Sequence, residues 1–207
     1  MIARGGLGLA RAWVAVALLT IASAPAAAHH VGAYVPRDNE VSANFKQIKF
    51  AVQARKFDVA IRLFETGAVR TEMRAQAKRL PDGLEESTRA ALQAGDGRGA
   101  ERGLMVFFVA LARDLALEAD RRLADASEAA EARVAAGRRF LEAIWRYYNL
   151  VDFAVGQRDA RASVAMRLAY DEAESAARDP ARLAAAFKRI AHILSGLIDT
   201  TTARRSS

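Results

Sequence analysis

The chain has 207 residues, no cysteine, and 31 basic against 24 acidic residues, and 52% of it is hydrophobic. This composition is typical of one globular domain and excludes an intrinsically disordered chain. The lack of cysteine excludes disulfides, thiolate metal sites and iron–sulfur clusters, so the stability of the fold must come from its core.

Residues 1–28 have the features of a secretory signal peptide. Arg4 and Arg11 give a basic start, residues 12–24 form an apolar run, and small residues at 26–28 suit cleavage. The run is shorter than the roughly 20 residues that span a bilayer. We therefore expect a periplasmic or secreted chain that begins at His29 and has no integral membrane span.

The charge of the mature chain predicts an anionic partner. Removal of the leader leaves 29 basic and 24 acidic residues, a formal charge of +5. An exported protein rarely meets nucleic acid, so we expect none as a partner. Lipid headgroups, cell-wall polyanions or an acidic protein are the partners that this charge favours.

Beyond an extended arm at residues 29–39, apolar residues recur at steps of three and four, which predicts α-helices. The predicted helices lie at about residues 40–55, 59–80, 84–94, 100–126, 128–155, 160–178 and 180–199. No segment alternates with a period of two. We therefore expect a single all-α domain at 40–199, a compact bundle of about six or seven antiparallel helices arranged as stacked helical hairpins, followed by a disordered tail at 200–207.

Polar residues mark the predicted helix starts. Asp58, Ser127 and Asp159 are placed as N-caps, and Asp179-Pro180 combines an N-cap with the residue preferred at the first helical position. The segments that contain Asp58, Asp96 and Asp159 look alike, but their unequal spacing excludes a repeat of fixed length.

The helix that contains Gly137–Val155 carries five aromatic residues, and one apolar face runs through Phe140, Ile144 and Tyr148. This pattern predicts a core helix on which other helices pack. As an alternative, Trp145, Tyr147 and Tyr148 line a groove for a partner or a small ligand.

Two arginines of the same helix could take part in that groove. Arg139 and Arg146 are seven residues apart and therefore share a helix face. Together they could hold a phosphate or a carboxylate, unless they only form a solvated face balanced by nearby glutamates.

The mature N-terminus offers a candidate metal site. An N-terminal His29 has an amine and an imidazole that together can chelate Cu(II), with His30 or a folded-back His192 as a further ligand. His192 lies off the apolar line of the last helix, so a solvent-facing position is its simplest interpretation. Residues next to a cleavage site often have no such role.

Motifs for catalysis are missing from the sequence. Neither Gly-x-Ser-x-Gly nor Ser-x-x-Lys occurs, and Arg189 stands where a di-iron Glu-x-x-His motif needs Glu. Gly95, Gly97 and Gly99 follow a predicted helix rather than the strand that phosphate-binding loops require. We therefore expect a non-enzymatic exported protein without a cofactor that binds or bridges an envelope protein or an anionic small ligand. The alternative is a periplasmic copper-handling protein.

Overall fold

The structure is a computed structural model and describes residues 39–203. Within that range it contains eight α-helices, one short 3₁₀ helix and no strand, so the all-α prediction is confirmed. The helices are α1 (Glu40–Gln53), α2 (Phe57–Thr66), α3 (Ala68–Ala75), α4 (Leu84–Gln93), α5 (Gly97–Ala124), α6 (Ala130–Arg158), α7 (Ala160–Ser175) and α8 (Pro180–Ala203), with the 3₁₀ helix at Ala77–Arg79. The predicted signal peptide and residues 29–38 of the predicted arm lie outside the described residues.

The core is centred on α5, which packs along α6 on one side and α8 on another and also contacts α4 and α1. Every residue from Gly103 to Ala112 is buried, as expected for a helix that is apolar on all sides. Helices α5, α7 and α8 pack against α6, so the prediction that the aromatic-rich helix is a packing centre is confirmed.

The predicted second helix is interrupted at Gly67, which gives two helices, α2 and α3, instead of one. The buried Asn44 of α1 causes the break: its Nδ2 donates to the Leu63 carbonyl at 3.0 Å, and its Oδ1 accepts from the Val69 amide at 3.0 Å. A Cβ at Gly67 would lie 2.3 Å from both Asn44 Oδ1 and the Leu63 carbonyl oxygen, so only glycine fits there. This long-range contact accounts for the eighth helix.

The turns between α1 and α2 and between α4 and α5 share one geometry. Arg55 (φ 58°) and Gly95 (φ 70°) are both left-handed, and the residue after each donates its amide at 2.8 Å to a carbonyl five residues back. This is the Schellman arrangement that ends many helices. Asp58 lies in the first turn of α2 and does not cap it, whereas Asp96 Oδ1 caps α5 through the Gly99 amide.

The connection between α5 and α6 differs from the prediction. Ser127 does not cap α6, because its amide and hydroxyl both donate to Asp125 Oδ1, at 3.0 and 2.6 Å. These hydrogen bonds hold the pKa of Asp125 below its usual value. As a result, α6 begins at Ala130, two residues later than predicted.

The last two helices begin where the caps were predicted. Asp159 accepts from the Ala162 amide at 2.9 Å, and Asp179 accepts from the Ala181 amide at 3.0 Å. The disordered tail, however, does not begin at residue 200, because α8 continues to Ala203. Thr201 is 1% exposed, and its hydroxyl accepts from Arg158 Nε at 3.1 Å, which anchors this last turn to the end of α6.

Candidate functional site

The three aromatic residues of the predicted groove do not line one groove. The Trp145 ring lies 4.6 Å from Tyr170 of α7 and 6.2 Å from Tyr148, centroid to centroid. Tyr147 points to the other side of α6, where its ring packs on Phe108 and its hydroxyl accepts from Asn39 Nδ2 at 3.1 Å. Tyr148 is fully buried. Successive residues on a helix differ by about 100° in direction, which accounts for this separation.

Arg139 and Arg146 do share the outward face of α6, as their spacing predicts. Arg139 is exposed and Arg146 is half-buried. Phe153 follows Arg146 by another seven residues and is 74% exposed. The outward face of α6 is therefore a stripe of two arginines and a phenylalanine.

A half-buried polar cluster joins α6 to α7 beside this stripe. Ser163 Oγ donates to Asp152 Oδ1 at 3.1 Å, and the guanidinium of Arg167 pairs with Asp152 Oδ2. The Tyr148 hydroxyl is buried beside Ser163 and Asp152, but it makes no well-formed hydrogen bond to any described residue. Burial, reinforced by the charge of Asp152, raises the pKa of Tyr148 well above its usual value, so the phenol stays neutral.

The paired residues show that α6 and α7 are antiparallel. A Cβ at Gly156 would approach the Ser163 hydroxyl, Asp152 bonds both Ser163 and Arg167, and Trp145 stacks on Tyr170. In these pairs the residue number on α6 falls from 156 to 145 while the residue number on α7 rises from 163 to 170. The polar cluster thus fixes the register of the two helices near the turn that joins them.

An exposed apolar patch lies on the outer side of this hairpin. Val164 is 57% exposed and Leu168 is 64% exposed, and their four-residue spacing places them on one face of α7. Phe153, Val164 and Leu168 each directly follow a residue of the polar cluster. On each helix, the residue that follows a cluster residue points about 100° further around the helix axis. Because the two helices are antiparallel, this rotation brings Phe153, Val164 and Leu168 to the same side of the hairpin. We name these three residues the hairpin patch.

Arg161 and Arg167 lie beside the hairpin patch towards the turn, whereas the exposed Asp171, three residues after Leu168, borders it on the side away from the turn. Arg161, three residues before Val164, is exposed, and Arg167 is also largely exposed despite its pair with Asp152. Burial, and then the charges of Glu174, Glu142 and Asp171, raise the pKa of Tyr170 to about 12, which places these carboxylates around Tyr170. The patch therefore has a basic rim towards the hairpin turn.

Two cavities lie away from the patch. One of about 210 Å³ lies between α4, α5 and the end of α8, and Arg102 Nε is buried there without a hydrogen-bond partner among residues 39–203. Asp96 also lines it and opposes the charge of Arg102, and typical ligand sites occupy about 300–1,000 Å³. The second, of about 380 Å³, lies between the starts of α6 and α8, where Arg138 Nε already donates to the Ala177 carbonyl at 3.3 Å.

The predicted copper ligands are not brought together in the described part of the chain. His192 is exposed on α8, as expected from its position off the apolar line. His29 and His30 lie outside the described residues, and residues 39–203 contain no group of three or more His, Asp or Glu side chains arranged to hold a metal. The copper site stays a prediction from the sequence.

Within the same range, no helix has both the length and the hydropathy needed to cross a membrane. Comparison of the chain with known protein families, curated proteins and solved structures gives no significant match.

Sequence reasoning identified Arg139 and Arg146 but not the hairpin patch. Phe153 was one of the five aromatic residues of the stretch, and its seven-residue spacing from Arg146 was the available signal that it faces outward. Val164 and Leu168 belong to another helix, so only the packing of α7 on α6 joins them to this surface.

Proposed function

We propose that the mature chain is an exported, non-enzymatic helical protein that binds an anionic partner of the cell envelope through the outer face of the α6–α7 hairpin. The observation that carries this proposal is the hairpin patch with its basic rim. Export is a prediction from residues 1–28, and the missing catalytic motifs favour binding over catalysis.

The proposal is supported by the unfavourable free energy of leaving a contiguous apolar surface in water. Single exposed apolar residues are common, but contiguous ones rimmed by polar residues mark interaction sites. The described chain has five large apolar side chains that are strongly exposed, and three of them form the hairpin patch. Arginine is also favoured in interfaces, since its guanidinium pairs with carboxylate or phosphate in a fixed geometry.

Both helices of the hairpin are anchored in the core. Ile144, Tyr148 and Val155 are fully buried on the inward side of α6, and Met166 and Ala173 are buried on the inward side of α7. The Asp152 cluster fixes the register of the helices. A partner therefore meets a preformed surface, which reduces the entropy lost on binding.

The proposal is tested by co-sedimentation of the purified exported protein with isolated cell envelopes. A variant with F153S, V164S and L168S replaces the whole hairpin patch. We expect this variant to lose most of its envelope binding, because the apolar contact area disappears. Binding that remains at the wild-type level would contradict the proposal.

Phe50 provides a matched control. It is 72% exposed, almost the same as Phe153, but lies on α1, which packs against α2, α3 and α5. F50S removes an equally exposed phenylalanine from a different part of the surface. We expect F50S to bind envelopes as the wild type does, and thermal unfolding of both variants checks that their fold is intact.

A further inference from the structure

We propose that the anionic partner of the hairpin patch is a lipid surface, on which the protein lies peripherally with the patch inserted among the acyl chains. This inference rests on the proposed function and names its partner. Two observations carry it: the shape of the surface and the position of its charges.

The shape of the surface favours a lipid bilayer over a partner helix. The apolar side chains project from the outer sides of two adjacent helices, and none of the three lines either of the two cavities. An amphipathic helix of a partner protein docks by laying its apolar face into a hydrophobic groove. A bilayer needs no groove, because exposed Phe, Leu and Val side chains insert between its headgroups.

The charges complement anionic headgroups. Arg161 and Arg167 flank the apolar residues of α7 towards the turn. Arg146 lies seven residues before Phe153 on α6, next to Trp145, and is therefore level with Tyr170 and its carboxylates. The long apolar stem of an arginine can lie along the acyl chains while its guanidinium stays at the level of the phosphates. The carboxylates around Tyr170 lie further from the turn, so we expect the turn end of the hairpin to approach the bilayer more closely.

A second copy of the chain is the other occupant that this surface could take. A symmetric dimer would bring the two rims together if its twofold axis ran along the helices, but would lay each rim over the carboxylates near Tyr170 if the axis crossed them, so charge does not exclude it. Analytical ultracentrifugation decides the point: we expect a monomer, and a dimer that dissociates in the F153S, V164S and L168S variant would overturn the lipid surface.

The experiment measures binding of the purified exported protein to vesicles by flotation. One set contains phosphatidylglycerol and phosphatidylethanolamine, and the other contains only phosphatidylcholine. We expect clear binding to the anionic vesicles and much weaker binding to the neutral ones. Replacing the hairpin patch by F153S, V164S and L168S should weaken binding at least about tenfold, because the inserted apolar area is lost.

A second set of variants tests the rim independently of the patch. R161Q should weaken binding to anionic vesicles by about fivefold, whereas R146Q, which lies level with Tyr170 and further from the turn, should weaken it less. F50S should bind as the wild type does. Equal binding of the wild type and the patch variant would overturn the inference, because it would show attraction by net charge alone.

The failure of this inference differs from the failure of the proposed function. If the protein does not bind vesicles, but its patch-dependent binding to envelopes disappears after the envelopes are treated with protease, the partner is a protein. That result overturns the lipid surface and leaves the binding face in place. If neither vesicles nor envelopes are bound through the patch, both proposals are wrong.

Discussion

The inward and outward faces of α6 contain similar side chains and serve different purposes. The inward face buries Phe140, Ile144 and Tyr148 in the core, whereas the outward face leaves Phe153 74% exposed. Both faces follow the same helical period. The direction in which an aromatic residue points from the helix axis therefore decides whether it is buried in the core or exposed. Its residue type does not.

The largest effect is expected on the inward face. I144A removes a fully buried side chain and should lower the free energy of unfolding by about 3 kcal/mol, because it leaves a cavity that the neighbouring helices cannot fill. Denaturant unfolding followed by circular dichroism measures the change. A loss below about 1 kcal/mol would show that the inward face is not tightly packed.

A smaller loss of stability is expected at the polar cluster, which lies between the inward and outward faces of α6. D152A removes the acceptor for both Ser163 and Arg167 and should lower the free energy of unfolding by about 1–2 kcal/mol. It should also weaken envelope binding, because α7 loses the contact that holds its register. S163A keeps the Arg167 pair and is the control: it should cost less stability and leave binding unchanged. Equal losses in the two variants would contradict this account of the cluster.

The next change should increase stability. Y148F keeps the buried ring and removes a buried hydroxyl that makes no well-formed hydrogen bond within the described residues, although Ser163 and Asp152 lie beside it. An unmade buried hydrogen bond is costly, so we expect the free energy of unfolding to rise by about 1 kcal/mol. Y148A removes the ring as well and should destabilise the fold strongly. A loss of stability in Y148F would contradict this and show that the hydroxyl has a hydrogen-bond partner, with Ser163 and Asp152 as the nearby candidates.

The smallest effect on stability is expected on the outward face. F153S should change the free energy of unfolding by less than about 0.5 kcal/mol, as exposed substitutions generally do. Its envelope binding should nevertheless fall, since Phe153 belongs to the hairpin patch. An exposed residue of the binding face should thus affect binding without affecting stability. A substantial loss of stability in F153S would mean that Phe153 contributes to packing and is not available to a partner.

Local chemistry made much of the fold predictable from the sequence. Asp159 and Asp179 cap helices through amides two or three residues ahead, so their role follows from a short stretch of sequence. The break at Gly67 could not be predicted in this way. It depends on Asn44, which lies on another helix and binds both sides of the break.

The candidate surface was only partly predictable for the same reason. The face shared by Arg139, Arg146 and Phe153 follows from their spacing on one helix. The addition of Val164 and Leu168 requires the antiparallel pairing of α6 with α7, which the Asp152 cluster and the contact of Trp145 with Tyr170 establish. Helical periodicity within one segment carries no information about such pairing.

The most direct test of the binding face uses the absence of cysteine from the chain. F153C and F50C each introduce one thiol, so a nitroxide spin label reports from the hairpin patch or from the control position on α1. On addition of isolated envelopes, we predict that the label at position 153 becomes immobilised and inaccessible to a water-soluble relaxation agent. The label at position 50 should remain mobile and accessible. Equal spectral changes at the two positions, or no change at position 153, would contradict the claim that the outer face of the α6–α7 hairpin binds the partner.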